Sequence, residues 1–244
     1  MNCQFDGMTD IGGAPDPVAR REVAAMSTVW DGITQIGILK PAEEQRRQAL
    51  ADAAESSNWS LVLDLVSASR DLVNTTRPGG SSLCAPLHEA AYGGAPLDVV
   101  EQLLLHGAWR TLQNNYGERA VDIAAHRGQR HLLTTLAPQY NHKVPLGVLL
   151  KIQMHFHAII LERERPLIEQ HRLRLPELEP LLELDEPKMW FPVPGMYGGF
   201  SYWFEVCGVK AELVSESWCR VVGGSGQRHI MSSAGSRLVD EGFV

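Results

Sequence analysis

A chain of 244 residues with 44% hydrophobic and 21% charged side chains has ample length to bury a core, and its composition excludes wholesale disorder. The formal charge of −7 argues against a general nucleic-acid binder, because neutralising phosphates needs clustered Lys and Arg that carboxylates do not outweigh. The longest apolar stretch, Val144 to Leu161, is broken by Lys151, Gln153, His155 and His157, so neither membrane spanning nor export is expected and a cytoplasmic location is.

Residues 1–40 carry Gly12-Gly13, Pro15 and Pro17 and no sustained period, which reads as a flexible arm with one short helix over Val18 to Met26. Order is expected from Pro41, suited to the first turn of a helix, with Glu43 and Glu44 near the positive end of its dipole. Ala49, Leu50, Ala53 and Ala54 form one apolar stripe. Trp59, Val62, Leu63 and Val66 form the next, so the pattern predicts a helical hairpin with its turn at Ser56 to Asn58. Arg46 and Arg47, like Arg163 and Arg165, read as solvated helix faces.

The pair Ala53-Ala54 recurs as Ala90-Ala91 and Ala124-Ala125, spacings of 37 and 34 residues, and small residues there let neighbouring helices approach closely. Around the middle pair stand Pro86-Leu-His88, Gly93-Gly94, Val99-Val100, Leu103-Leu-Leu105 and Gly107-Ala108. This stretch resembles the core of an ankyrin repeat, and the resemblance extends over about Ala42 to Pro138. The outer copies diverge, with Ala49-Leu-Ala-Asp52 in the first and Ala120-Val-Asp122 in the last where Pro-Leu-His is expected, and in the middle copy Leu83 stands where the family's turn glycine belongs. The resemblance implies a short stack of helical hairpins that binds another protein through the turns and the ends of its first helices. Those positions fall on Tyr92 and Gly93 in the middle copy, and on Asn115, Tyr116, Glu118, His126 and Arg127 in the third. It also implies a structural role for His88 between repeats.

Beyond the repeats, Val144 to Arg165 is predicted to be a helix from Pro145, interrupted at Pro166, with apolar coverage wide enough for burial on more than one side. Leu175 to Leu184 reads as one short helix between turns. After Pro187, short β-branched and aromatic runs separated by Gly and Pro predict an antiparallel meander of four or five strands, with Gly223 to Gly226 in one hairpin turn. The fold class is therefore mainly helical hairpins followed by a small antiparallel β module, α+β overall. The expected divisions are an arm at 1–40, the repeats at 41–140, a helical connector at 141–187 and the β module at 188–244.

Chemistry is sparse. His155 and His157 lie two apart on a helix and so diverge, which weighs against a shared metal ion. Gly223 to His229 has the glycines of a phosphate loop, but strand-like residues on both sides favour a hairpin. Glu205, Glu216, Arg220, Arg228 and His229 could converge on the sheet as a ligand or hydrolytic site, with cross-strand charge pairs as the plainer reading. The aromatic run Trp190, Phe191, Tyr197, Phe200, Tyr202 and Trp203 is either a ligand platform or the core of a small sheet, and core is the expected answer. The four cysteines, Cys3, Cys84, Cys207 and Cys219, form no Cys-x-x-Cys pair, so reduced thiols are expected. No catalytic residue, metal or cofactor is assigned. The leading expectation is a protein-binding module, with an inhibitor or immunity-type binder of a basic partner as one form. The competing expectation is an enzyme or small-ligand binder whose site lies in the β module.

Overall fold

The computed structural model describes residues 28–219 and 225–242 and is α+β, seven α-helices and a six-stranded mixed sheet. In chain order the elements are β1 (Thr28–Val29), α1 (Pro41–Glu55), α2 (Trp59–Ala68), α3 (Pro86–Gly93), α4 (Leu97–Leu105), α5 (Ala120–His126), α6 (Leu133–Leu136) and α7 (Leu146–Gln170). They are followed by β2 (Lys188–Val193), β3 (Gly198–Val206), β4 (Glu212–Cys219), β5 (Ser225–Ser232) and β6 (Gly235–Glu241). No described helix is long and apolar enough to cross a membrane.

The first six helices form three consecutive hairpins. Pro41 opens α1 and Asn58 caps α2, its side-chain oxygen accepting from the Leu61 N–H. Inner helices α1, α3 and α5 pack on one another, as do the outer helices α2 and α4. Of the recurrent alanines, Ala53, Ala54, Ala90, Ala91 and Ala124 are buried in the core between these helices, while Ala125 is exposed. The third residue of each later inner helix reaches back to its start. His88 Nδ1 accepts from the Ala85 N–H at 3.1 Å, and Asp122 Oδ2 accepts from the Arg119 N–H at 2.9 Å. His88 also donates from Nε2 to the Leu112 carbonyl, 3.0 Å away on the next loop. Burial lowers its pKa to about 4, which keeps the ring neutral as that hydrogen-bond pattern requires. Leu83, in the place of the expected turn glycine, adopts a left-handed backbone with φ +53°.

A second core lies between α7 and the sheet. Strands β2 to β6 form an antiparallel meander in sequence order, and β1 adds a parallel edge beside β2. The expected flexible arm is thus corrected from Thr28 onward: Trp30 and Ile33 are buried in this core, the Trp30 indole N–H donates to the Arg174 carbonyl at 3.0 Å, and Thr34 Oγ1 donates to the Arg172 carbonyl at 2.8 Å. Two residues cannot display a strand period, so β1 has no sequence signature. The expected helix over Val18 to Met26 lies outside the described residues.

Helix α7 packs along β4, β5 and β6 through Ile152, Phe156, Ile159 and Ile160. Burial on more than one side is not found, since Leu146, Leu150 and Met154 form an exposed stripe. Backbone geometry breaks at Glu164, two residues before Pro166, after which the helix resumes to Gln170. The acidic segment after α7 then binds the loops of the stack. Glu183 accepts from the N–H groups of Arg110 and Thr111 at 3.0 and 2.8 Å, and Glu179 accepts from the Arg119 guanidinium at 2.6 and 2.7 Å. Within that segment Pro180–Glu183 forms a single 3-10 turn.

Candidate functional site

The turn from Asn114 to Glu118 is set by one buried side chain. Asn114 Oδ1 accepts from the N–H groups of Tyr116 and Glu118, both at 2.9 Å, and Gly117 supplies the left-handed step at φ +75°. The result presents Asn115 and Tyr116 outward, with Tyr116 72% exposed. At the end of α3, Tyr92 is 53% exposed, and Gly93 is so close to the preceding hairpin that a Cβ there would lie 3.2 Å from Ser57 Oγ.

Two pairs couple these positions. The Arg127 guanidinium lies 4.1 Å above the Tyr92 ring, and His126 Nδ1 is 3.0 Å from the Glu118 carboxylate. Glu118 is held below the usual carboxylate range by the Asn114 side chain first and by His126 second. Of the seven positions expected at an interface, four therefore form two links between neighbouring elements, while Asn115 and Tyr116 stand free on the turn. The edge holds two exposed tyrosines, a guanidinium, an imidazole and a carboxylate. Among the described residues, no buried nucleophile is set against a base at this edge.

The residues expected to converge on the sheet are divided between its faces. Arg228 and Glu216 are cross-strand neighbours, 3.7 Å apart, on the face away from α7, and Arg228 also stands opposite Asp240. His229 is the next residue in β5 and points the other way, toward Glu162 and Arg163 of α7, where burial lowers its pKa. Glu205 is exposed beside the bulge that ends β3, and Arg220 lies outside the described residues, as do Gly223 and Gly224 of the expected turn. Strand alternation alone would have separated Arg228 from His229. The divergence of His155 and His157 follows from the helix, and His157 donates to the Pro176 carbonyl at 2.8 Å.

The aromatic run divides in the same manner. Phe191, Phe200 and Tyr202 are fully buried against α7, in keeping with the core reading. Trp190 and Trp203 lie on the outer face. There Trp190 stacks on Trp218 with centroids 4.6 Å apart, and Trp203 sits between the Lys188 amine and the Arg228 guanidinium, 5.0 and 5.7 Å from its centroid. Lys188 shares this face through its i, i+2 spacing from Trp190 in β2, whereas Trp218 reaches it only through the cross-strand register, which the sequence does not display. Sequence reading left out both, and it also treated Arg47 as a solvated side chain. Arg47 is only 6% exposed and is bound to Asp31 and Glu43 at 2.5 and 3.1 Å. No protein-family model matches the chain.

Proposed function

We propose that the chain is a protein-binding module whose three hairpins form a short ankyrin-type stack, with the edge carrying Tyr92, Tyr116, His126 and Arg127 as its interface. The equivalence of the hairpins is supported by the reach-back bonds of His88 and Asp122, 34 residues apart, and by the left-handed backbone at Leu83. The observation that carries the reading is the exposed pair of tyrosines braced by Arg127, because Tyr and Arg are the side chains on which interface energy concentrates. The net charge of −7 motivates one form of this role, an inhibitor or immunity-type binder whose acidic surface meets a basic partner.

The test is comparative capture with the full chain and with the triple variant Tyr92→Ala, Tyr116→Ala, Arg127→Ala. Under this reading at least one protein is retained by the wild type and lost by the variant while both melt at the same temperature. Identical captured sets would refute the assignment of this edge.

A further inference from the structure

A cavity of about 630 Å³ opens where the segment 28–34, the ends of the first two hairpins and the β2 end of the sheet meet. That volume falls within the range of roughly 300–1,000 Å³ typical of small-molecule sites. Its walls are largely apolar, built by Ile33, Val73, Leu112, Leu184 and Pro192 together with the parallel indoles of Trp30 and Trp109, whose centroids are 5.8 Å apart. A second void that Arg47 also borders measures about 70 Å³ and has room for water alone.

The charged side chains that line the large cavity balance in number. Arg47, Arg70 and Arg174 stand against Asp31, Glu43 and Asp71, a formal sum of zero. Arg47 is neutralised by Asp31 and Glu43, and Arg174 by Glu177, which lies outside the lining. Burial raises the Asp31 pKa against the opposing pull of Arg47. An ionic ligand would find no net counter-charge in this lining, whereas a neutral apolar one meets the indole and aliphatic wall.

We infer that this cavity binds a neutral, mostly apolar small molecule, with its apolar body along the indole and aliphatic wall. This site is separate from the Tyr92 edge, and neither reading requires the other.

The probe is Nile red, a neutral apolar dye, titrated into the full chain and read by dye emission and by quenching of tryptophan fluorescence. Saturable 1:1 binding is expected, at least tenfold tighter than that of the anionic dye anilinonaphthalene sulfonate. Val29→Trp, at a half-exposed position in the lining, is expected to weaken Nile red at least tenfold without lowering the melting temperature. Asp71→Trp, which fills the cavity from the first hairpin, serves if the former variant folds poorly. The inference is overturned by non-saturable binding, by equal affinity for both dyes, or by folded variants that bind Nile red as well as the wild type. Contacts from residues 1–27 to Trp30 or Trp109 in the ligand-free chain, seen by cross-linking, would equally overturn it by giving the cavity an occupant of the chain's own.

Discussion

The hairpin stack and the unit of α7 and sheet achieve burial in opposite ways. In the stack the core is built partly by alanines from successive hairpins, and each hairpin meets chiefly its neighbours. The second core is filled by Phe156, Phe191, Phe200 and Tyr202, and it recruits Trp30 to the Arg174 carbonyl across 144 positions of sequence. A core of small repeated contacts can absorb local divergence between hairpins. A core of a few large side chains drawn from distant segments has no such tolerance. Function, under the proposed reading, lies on the tolerant region, where exposed positions can vary without disturbing the packing beneath.

That contrast can be broken or sharpened by mutation. The largest effect is expected from Phe156→Ala: truncating a fully buried aromatic between α7 and the sheet should cost about 3–5 kcal/mol, read as a fall in the denaturant midpoint. If the two cores are energetically distinct, hydrogen exchange should accelerate in β3 to β5 more than in α3 to α5. Equal acceleration would show one cooperative unit.

Next in size is the titration of His88. Its folded pKa of about 4 lies below the unfolded value of 6.5, so the unfolded chain takes up the proton first as pH falls. The stabilisation is full above pH 6.5, declines between about 6.5 and 4, and amounts to about 3 kcal/mol from the size of that gap. In His88→Asn the difference from wild type should therefore shrink between pH 7 and pH 4 in chemical denaturation. A constant difference would mean that the buried ring contributes nothing to the pH dependence.

A smaller change in the other direction is expected at Leu83. A left-handed backbone costs a non-glycine residue about 1–2 kcal/mol, so Leu83→Gly should raise the melting temperature, offset in part by the entropy of glycine in the unfolded chain. A lower melting temperature would show that the partly buried Leu83 side chain contributes more packing than the strain removes. Least of all, Tyr92→Ala should leave stability within about 0.5 kcal/mol, since its cation–π contact is exposed.

Legibility followed the same divide. Period-3.6 stripes and the spacing of Ala-Ala pairs identified every hairpin, and glycine and proline punctuation placed β2 to β6 within a few residues, because both signals are local. Contacts between distant segments left no such mark. The strand at Thr28–Val29, the burial of Arg47 by Asp31, and the binding of Glu179 and Glu183 to the stack loops depend on which segments meet in space. The exposed stripe of Leu146, Leu150 and Met154 misled for a related reason: hydrophobicity reports what a helix could bury, not whether a neighbour arrives. At the candidate interface the sequence named the positions but not their pairing. The link from Tyr92 to Arg127 requires two hairpins to be stacked, and that from Glu118 to His126 requires the turn to fold back beside its own helix.

The central claim is best tested on a purified partner obtained by the comparative capture, by calorimetric titration against three forms of the full chain. With Tyr92→Ala, Tyr116→Ala, Arg127→Ala the Kd should rise at least tenfold, while Trp203→Ala on the outer sheet face should leave it within about twofold of wild type. The reverse pattern, with the sheet variant weakened and the triple variant unchanged, would contradict the account and move the interface to the β sheet.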